Sequence, residues 1–247
     1  MTSHPLSVPD LKVVIVGNGA IGSGFCQAFL DKPETAAVAL LGRREKAWAD
    51  PRVMQWPIDV TEPETLQAAA DEIAQKLDSI HVLINTAGVL HWDDHGPEKR
   101  VADLQADAAL QAYRTNALPV AILAQAFGPL LRRAPAGLFA SLSARVGSIE
   151  DNKMGGWYSY RASKAAHNML LRTVAREWAI SHRQVAVVAL HPGTVESPLS
   201  APFVPKNYTR PVLQPQQSVH AMLEVLSSLT PRDSGSFFDW QGEAIPW

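Results

Sequence analysis

Tyr160 and Lys164 have the residue types and the spacing for acid-base chemistry. In a helix, residues four positions apart lie on one face, so the phenol and the ammonium would be neighbours. A nearby cation favours the phenolate and lowers the pKa of the phenol, which suits proton transfer at neutral pH. Tyr158 has Ala162 four positions later and lacks such a partner. Because such pairs also occur on solvated helix surfaces, the surrounding motifs must decide between the two interpretations.

A glycine-rich turn stands near the start of the chain, after an apolar run and before a segment with helical periodicity. Glycines permit a tight turn and the close approach of the backbone to a pyrophosphate, whose charge is favoured at a helix N-terminus. Without its context, the pattern is equally a turn between packed elements. With the strand before it and the helix after it, we predict a dinucleotide site formed by Gly17, Asn18, Gly19, Ile21 and Gly22.

The second predicted strand ends in Gly42-Arg43-Arg44. An enzyme that uses NAD places an acid here, which accepts hydrogen bonds from the ribose 2′-hydroxyl. Arg43 and Arg44 can instead pair with a 2′-phosphate through charge-assisted bonds. The alternative is a solvated basic turn, since arginine is mostly exposed in proteins. We predict that the cofactor is NADP(H), preferred over NAD(H).

Short apolar runs alternate along the chain with longer segments of helical periodicity, which is the pattern of buried parallel strands joined by crossover helices. The predicted strands are residues 12–16, 37–41, 53–58, 80–85, 137–142, 184–190 and 236–239. We find no internal repeat and no linker that would split the chain. The pattern therefore predicts an α/β fold, with one Rossmann domain over 1–247 built on a doubly wound parallel sheet of about seven strands and helices on both faces.

Two of the crossover segments carry clear helix signals. After the first strand, Ile21, Phe25 and Phe29 recur on one helical face. After the third strand, Thr61-Glu62-Pro63-Glu64 predicts a capping box with proline in the first turn. An apolar stripe follows on that helix: Leu66, Ile73 and Leu77.

The segment 194–217 is the exception to this regularity. Its prolines, at positions 198, 202, 205, 211 and 215, prevent long helices and central strands. Irregular loops of that length inside a domain are usually functional. We predict that 194–217 is a lid on the substrate side of the sheet.

The composition disfavours several classes of protein. Of 247 residues, 47% are hydrophobic and 19% are charged, which is typical of a globular chain with a sizeable core. A net charge of −2 gives no long-range attraction to nucleic acid or to an anionic membrane, and the apolar runs are too short for a bilayer span. The single cysteine, Cys26, excludes an intrachain disulfide, and the N-terminus lacks the features of a secretory signal. We therefore expect a cytoplasmic protein.

The order of these motifs resembles the short-chain dehydrogenase/reductase family over essentially the whole chain. Asn85-Thr86-Ala87-Gly88 follows the fourth strand like the family's N-N-A-G segment, with Thr86 in place of the second asparagine. Asp59 ends the third strand, where the family has an acid that contacts adenine. Pro192-Gly193-Thr194-Val195 follows the sixth strand like the family's P-G segment.

The catalytic group that the resemblance implies is Tyr160, Lys164, Ser143 and Asn116. Asn116 matches the asparagine in the middle of the long helix before the fifth strand, and Ser143 matches the serine just past that strand. By resemblance, Tyr160 exchanges a proton with the oxygen of a carbonyl or alcohol substrate. Lys164 then binds the nicotinamide ribose and lowers the tyrosine pKa. Ser143 would hydrogen-bond the substrate oxygen, and Asn116 would hold a water of the proton relay.

The resemblance also implies cofactor contacts beyond the glycine turn and the two arginines. These are Asp59, Val60, Asn85, Ala87, Gly88, Tyr160, Lys164, Pro192, Gly193, Val195 and Ser197. Among them, Val195 and Ser197 would orient the nicotinamide carboxamide. No resident metal, nucleic acid or membrane partner is implied.

A homodimer or homotetramer is a further expectation from the resemblance. In it, the helices that carry Asn116 and 160–164 would pack against their mates in a second copy. These helices have more apolar residues than one sheet contact requires: Leu118, Ile122, Phe127, Met169, Leu170 and Val174.

Within the family, the closest resemblance is to the C-factor-like branch. It rests on the runs 142–148 and 156–164 and on the end Ile245-Pro246-Trp247. The prototype of that branch is associated with intercellular signalling. The alternative function is therefore an NADP(H)-binding regulator or signalling protein with little turnover.

The chain departs from the family pattern in its glycine turn, which is one residue shorter than the usual T-G-x-x-x-G-x-G and has Ala20 where a glycine is expected. The serine assignment also has an alternative, because Ser141 shares a strand face with Ser143 by two-residue periodicity. We favour Ser143 as the substrate contact, since active groups of open α/β sheets gather at the carboxyl ends of strands.

Other features suggest weaker hypotheses. His91-Trp92-Asp93-Asp94-His95 contains two histidines at helical spacing, and we interpret it as a solvated loop beside the substrate cleft rather than as a metal centre. No G-x-S-x-G elbow occurs, which disfavours a serine hydrolase. Candidates for the lining of an apolar substrate pocket are Trp92, Met154, Trp157 and Phe203.

Overall fold

The computed structural model describes residues 4–93 and 95–247. Its strands, numbered along the chain, are β1 (Leu11–Val16), β2 (Thr35–Gly42), β3 (Val53–Pro57), β4 (Val82–Asn85), β5 (Gly137–Leu142), β6 (Val185–His191), β7 (Thr194–Val195), β8 (Val212–Leu213) and β9 (Phe237–Asp239). Its helices are α1 (Ala20–Leu30), α2 (Pro63–Lys76), α3 (Ala106–Asn116), α4 (Leu118–Arg133), α5 (Tyr158–Ser181) and α6 (Pro215–Ser228). Short 3-10 turns lie at Val101–Asp103, Arg145–Gly147, Ala201–Phe203 and Pro231–Asp233.

Seven parallel strands form the central sheet, in the order β3-β2-β1-β4-β5-β6-β9. The predicted doubly wound α/β sheet is confirmed. Every predicted strand overlaps an observed one, and the strand starts differ most at β2, which begins at Thr35, and at β4, which begins at Val82.

Both faces of the sheet are buried, which explains why the central strands are apolar at nearly every position. Along β5 and β6, successive side chains alternate between two cores. Phe139 and Val187 pack on the side of α2, α4 and α5, whereas Leu138 and Val188 pack on the side of α1 and α6. The sheet is therefore a rigid platform whose strand ends have fixed positions.

The strand order reverses at β1 and β4, because β2 and β3 extend the sheet on one side and β5, β6 and β9 on the other. Open α/β sheets bind ligands at such a point, outside the carboxyl ends of the strands. Val16 at the end of β1 is in register with Asn85 at the end of β4, and the Thr86 amide donates to the Val16 oxygen at 2.7 Å. The glycine turn and the segment after β4 are thus neighbours.

The predicted capping box at Thr61 is wrong. Helix α2 begins at Pro63 with Glu62 as its N-cap, and no side chain caps it. The Thr61 hydroxyl donates instead to Asp59 Oδ1 at 2.7 Å. In a capping box the Thr61 oxygen would accept from a helix amide, but Thr61 lies outside the N-cap, and both its amide and its hydroxyl are bound to Asp59. The proline in the first turn was predicted correctly.

The predicted irregular segment 194–217 is wrong at its C-terminal end. Pro215 starts helix α6, and only the residues before it lack long elements. Proline breaks a helix interior, but it is favoured in the first turn, where its missing N–H costs nothing. The two ends of the segment are tied together, since β7 pairs with β8 as a small parallel ribbon.

The long helix predicted around Asn116 is two helices, α3 and α4, which meet at Ala117. Pro119 accounts for the break, because its ring removes an amide donor and disfavours helical geometry at Leu118. Asn116 is therefore the last residue of a helix rather than a helix-interior residue. None of the helices in the described residues combines the length and the apolar character that crossing a bilayer requires.

We predict that the chain forms homo-oligomers through α3, α4 and α5. Phe127, one of the six residues behind this prediction, is instead fully buried in the sheet core, whereas Met169 is 65% exposed and Leu110 on α3 is 59% exposed. Light scattering at micromolar concentration should give a dimer or tetramer mass. Met169→Glu should shift it toward the monomer, while Val101→Glu, an equally exposed change outside these helices, should not. A monomer mass for the unmodified chain would refute the prediction.

Candidate active site

Helix α5 carries polar residues on the face that it buries against the sheet. Lys164 is 4% exposed, and its Nζ donates to the Leu142 oxygen at the end of β5 at 2.9 Å. A Cβ placed on Gly88 would lie 3.4 Å from Lys164 Nζ and 3.3 Å from Asn116 Oδ1. The ends of β4 and β5 and the first turns of α5 therefore meet at one point, where Lys164 is held.

Burial controls the acid-base properties of the tyrosine and lysine pair. It raises the pKa of the Tyr160 phenol above its usual range and lowers the pKa of the Lys164 ammonium to about 8. The expected lowering of the phenol pKa by Lys164 is not found, because burial, which disfavours the charged phenolate, is the cause of the shift. Tyr160 therefore keeps its proton at neutral pH and is present in its acid form.

Asn116 ties the segment after β4 to α5. Its Oδ1 accepts from the Val89 amide at 2.8 Å, and its Nδ2 donates to the Val89 oxygen at 2.9 Å and to Ser163 Oγ at 3.0 Å. Its peptide oxygen lies 2.8 Å from Nδ1 of His167. Asn116 thus fixes the end of β4 relative to α5, and the water-holding role that the resemblance implies stays a prediction.

His167 is a buried residue that the sequence analysis missed. It is fully buried, and burial lowers its pKa to about 3, so the ring is neutral. Because a peptide oxygen only accepts, Nδ1 carries the ring proton in its contact with Asn116. Its spacing was the available signal, since His167 lies three residues after Lys164 and shares its helical face.

Ser143 follows β5, as predicted, and is 3% exposed. Its hydroxyl donates to Oδ1 of Asn168 on α5 at 2.6 Å, so its proton is directed toward the helix. Ser141 is fully buried and accepts from Nδ2 of Asn85 at 3.0 Å, which makes it a core residue. Asn168 was missed by the sequence analysis, although it lies four residues after Lys164.

The glycine turn has the shape that a pyrophosphate site needs. Gly17 has a positive φ of 95°, and a Cβ on Gly22 would clash with the Gly17 peptide oxygen. Thr86 Oγ1 donates to the oxygens of Val16 and Gly17, both at 3.0 Å, and so holds the turn against β4. By contrast, a Cβ on Gly19 would meet nothing within 4 Å, and the first turn of α1 has no acid. An open cradle therefore faces the N-terminus of α1, where an anion is favoured.

The residues after β2 form a basic end of this cradle. Arg43 and Arg44 are exposed, and the Arg44 oxygen accepts from the Asn18 side chain. Lys46, which the sequence analysis missed, donates from Nζ to Ser23 Oγ on α1 at 2.8 Å. The segment next to the turn thus carries three cationic residues, with Glu45 between Arg44 and Lys46.

Asp59 and Val60 follow β3 on the same side of the sheet. Hydrogen bonds from the backbone and hydroxyl of Thr61 lower the pKa of Asp59, with a smaller contribution from the charge of Arg43. Val60 is partly buried against the core. In the turn after β4, the Ala87 amide donates to Asn85 Oδ1 at 3.1 Å.

The segment after β6 completes the predicted cofactor contacts. Gly193 has a positive φ of 79°, and a Cβ there would lie 2.9 Å from the Trp240 ring. The Pro192 oxygen accepts from Ser218 Oγ on α6 at 2.6 Å. Val195 is buried in β7, and Ser197 Oγ donates to its oxygen at 3.3 Å. This turn is therefore fixed at the carboxyl end of β6.

An aromatic wall connects Tyr160 to the proline-rich segment. The Trp157 ring contacts Tyr160 edge-on with centroids 6.1 Å apart, and it contacts Phe203 at 5.3 Å. His91 packs on Phe203 at 5.7 Å, and its Nε2 lies 3.1 Å from the Pro198 oxygen. Trp157 and Phe203 thus stand together, as predicted for a substrate pocket.

Two other candidates for the pocket lining behave differently. Met154 is 84% exposed and takes no part in this wall. Trp92 forms a tight turn with His95 and lines a small cavity beside Tyr160. Asp94, one of the possible metal ligands considered above, lies outside the described residues. Among residues 4–93 and 95–247, no three His, Cys, Asp or Glu side chains are grouped to hold a metal ion.

Comparison with known proteins places this geometry in context. The sequence model of the short chain dehydrogenase family matches residues 12–207. C-signal of Myxococcus xanthus is 34% identical over 168 residues, which cover 68% of this chain and 93% of that protein. The 1-hydroxy-2-glutathionyl-2-methyl-3-butene dehydrogenase of Rhodococcus sp. is 32% identical over 191 residues, which cover 77% of this chain and 78% of that protein.

Solved structures show the same fold. An NADPH-bound carbonyl reductase from chicken fatty liver superposes with a TM-score of 0.85 and 28% identity, covering 97% of this chain and 100% of that chain. The carbonyl reductase Sniffer of D. melanogaster gives a TM-score of 0.84 at 22% identity over 97% of this chain and 100% of that chain, and shares the fold.

The two glycines of the turn should differ sharply in their tolerance of a methyl group. Gly22→Ala should lower the free energy of unfolding by about 2 kcal/mol or more, because the added carbon clashes with the Gly17 oxygen. Gly19→Ala should change it by about 0.5 kcal/mol or less, since its Cβ meets nothing. Urea unfolding followed by circular dichroism measures both. Equal stabilities of the two variants would contradict the steric account.

Proposed function

This chain belongs to the short-chain dehydrogenase/reductase family, and we propose that it is an NADP(H)-dependent oxidoreductase that moves hydride between the nicotinamide and a carbonyl or alcohol. The observation that carries the proposal is the position of Tyr160 and Lys164. They lie beside the ends of β4 and β5, at the edge of the sheet where the glycine turn opens. Binding alone would not require a partly buried phenol and a buried ammonium there.

In the proposed reaction, NADP(H) supplies or accepts the hydride when it is bound. In the reducing direction, the Tyr160 phenol donates its proton to the substrate oxygen as that oxygen becomes a hydroxyl. The raised pKa keeps this proton in place until then. Lys164 would hold the nicotinamide ribose and stabilise the phenolate that remains, and its bond to the Leu142 oxygen fixes the ammonium for both tasks.

Ser143 has a proposed role that depends on its bond to Asn168. In the structure its proton is directed to Asn168 Oδ1, so the Ser143 oxygen must exchange that bond to donate to a substrate. Asn116 supports the site by holding Val89 and Ser163, and so keeps the end of β4 against α5.

We propose NADP(H) rather than NAD(H) on the charges after β2. The strand is followed directly by Arg43 and Arg44 rather than by an acid, and Lys46, after Glu45, donates to Ser23 on α1 beside the glycine turn. A structural neighbour at 28% identity is an NADPH-bound carbonyl reductase, which supports this choice. The cradle beside Gly19 fits the pyrophosphate.

We propose that 194–214 is the lid over the substrate and that the aromatic wall of Trp157 and Phe203 forms one side of an apolar substrate pocket. The hydrogen bond of His91 to Pro198 closes the lid onto the segment after β4. The single thiol, Cys26, is buried, and a reducing compartment such as the cytoplasm suits the chain.

The second candidate function is NADP(H)-dependent signalling with little turnover, favoured by the 34% identity to C-signal. A panel of carbonyl compounds assayed by NADPH oxidation separates the two. Enhanced NADPH fluorescence without oxidation by any compound would favour the signalling protein.

Tyr160→Phe should reduce turnover by about 10²- to 10⁴-fold, because it removes the proton donor. NADPH affinity should stay almost unchanged, since the glycine turn and the arginines are untouched. Tyr158→Phe is the matched control: Tyr158 is 39% exposed and should retain most activity. Single-turnover NADPH oxidation and NADPH titration give the two values. A near-native rate for Tyr160→Phe would show that the catalytic assignment is wrong.

Changing Arg43 and Arg44 together to alanine should weaken NADPH binding by about tenfold or more, because charge-assisted bonds to the 2′-phosphate are lost. NADH binding should hardly change. The control is the double change of Arg132 and Arg133 to alanine, at the far end of α4, which should leave both dissociation constants unchanged. An unaltered ratio of NADPH to NADH affinity after the first change would refute the cofactor preference.

A further inference from the structure

We propose that Glu98 is a positioning residue for Tyr160: its buried side chain fixes the first turn of α5 and with it the phenol. The proposal rests on the proposed function insofar as it makes Tyr160 the proton donor. Glu98 belongs to the connection between β4 and α3, far from α5 in sequence, and no motif in the chain pointed to it.

Three hydrogen bonds join Glu98 to the residues just before Tyr160. Its Oε2 accepts from the Ser159 amide at 3.1 Å, and its Oε1 accepts from the Ser159 hydroxyl. Its peptide oxygen accepts from the Trp157 amide. Both ends of Glu98 are therefore bound to the start of the helix that carries the phenol.

Electrostatics explain why this carboxylate is stable where it is. Glu98 is 8% exposed, and among the described residues no cationic side chain forms a salt bridge with it. A buried carboxylate needs hydrogen-bond donors, and the start of a helix has unsatisfied amides and a partial positive charge. Trp157, the N-cap residue of α5, makes no side-chain cap, and its indole has no acceptor to offer. Glu98 instead accepts hydrogen bonds from the Trp157 and Ser159 amides at the start of the helix.

The backbone at the start of α5 depends on such a restraint. Gly155, Gly156 and Trp157 have positive φ angles of 65°, 66° and 56°. A bulky residue rarely adopts this left-handed conformation, and it persists only where its surroundings impose it. The Glu98 peptide oxygen holds the Trp157 amide, and the Trp157 ring packs on both Tyr160 and Phe203.

Packing alone does not hold this side of Tyr160. A cavity of ≈ 20 Å³, large enough for about one water, is lined by Glu98, Ser159, Tyr160 and Trp92 among others. Tyr160 is in the first turn of α5, where helices fray. The bonds made by Glu98 therefore restrain Tyr160 on a side where packing leaves a gap.

This arrangement separates catalysis from cofactor binding. Lys164 is one turn further along α5 and is held by the Leu142 oxygen, and the glycine turn lies on other elements. Loosening the first turn should displace the phenol while the cofactor contacts remain. Proton transfer is sensitive to displacements of about 1 Å, which cost up to about a hundredfold in rate.

Glu98→Gln tests the proposal at constant size. An amide keeps one acceptor, loses the other and presents N–H groups to a donor, so the bonds to Ser159 cannot all form. The single-turnover rate of NADPH oxidation should fall about tenfold. The NADPH dissociation constant should stay within about twofold, and the circular dichroism spectrum should be unchanged. Amide hydrogen exchange at Ser159 and Tyr160 should become faster.

Ser159→Ala provides the second variant, because it removes only the hydroxyl and keeps the amide bond to Glu98. It should show a smaller loss in rate. Combined with Glu98→Gln, it should add little, since both changes break the same bond. If the losses in rate of the two single variants multiply in the double variant, the two residues act independently, and the proposed coupling between Glu98 and Ser159 is wrong. Should Glu98→Gln not fold, Ser159→Ala still decides by the same rate, binding and exchange measurements.

Asp103→Asn is the matched control. Asp103 caps the 3-10 turn of the same connection through Arg100 and does not bond to α5. It should leave the rate and the exchange at Tyr160 unchanged. A parallel fall of rate and NADPH affinity in Glu98→Gln, or an unchanged rate, would overturn the proposal. If none of the carbonyl compounds supports NADPH oxidation by the unmodified chain, the proposed function fails. The hydrogen exchange at Tyr160 then decides by itself whether Glu98 positions that residue.

Discussion

Burial of the Lys164 ammonium is the constraint on which the site depends. An ammonium can be buried only where acceptors satisfy it, and here the acceptor is the Leu142 oxygen, the last of β5. This bond fixes where α5 crosses the strand ends. With Lys164 Nζ in that position, a Cβ on Gly88 would come within 3.4 Å of it. The bond sets where α5 as a whole lies, and Glu98 restrains the first turn, which carries Tyr160.

Other buried polar groups beneath α5 form hydrogen bonds that also fix the position of this helix. Asn116 holds Val89 and Ser163, while Ser143 is bound to Asn168. Each pair joins α5 to a different element, so the helix has little freedom to shift without leaving buried donors unsatisfied, which is costly. The nearby segments that lack such pairs, the lid and the turn of three left-handed residues, are held by a few specific bonds instead.

Much of the fold could be predicted from residue patterns. Apolar runs placed all seven sheet strands, because parallel strands buried on both faces are apolar at nearly every position. Proline proved ambiguous: Pro215 and Pro63 start helices, and Pro119 divides one. The capping box at Thr61 was wrong because the helix begins with Glu62 as its N-cap, and Thr61 is bound to Asp59 instead. Local sequence patterns do not show which of several possible hydrogen-bond partners a side chain will have in the folded chain.

The sequence by itself determined the family, the strand order along the chain, the glycine turn and the helical face shared by Tyr160 and Lys164, since each depends on residues close in sequence. The tertiary structure alone decided which buried groups are partners. It paired His167 with Asn116 and directed the Ser143 proton to Asn168. It also brought the Lys46 side chain into contact with Ser23 on α1, and Glu98 to the start of α5. Those contacts join residues far apart in the chain, and no local spacing encodes them. Burial likewise reversed the expected direction of the Tyr160 pKa, because the exclusion of water is a property of the folded chain as a whole.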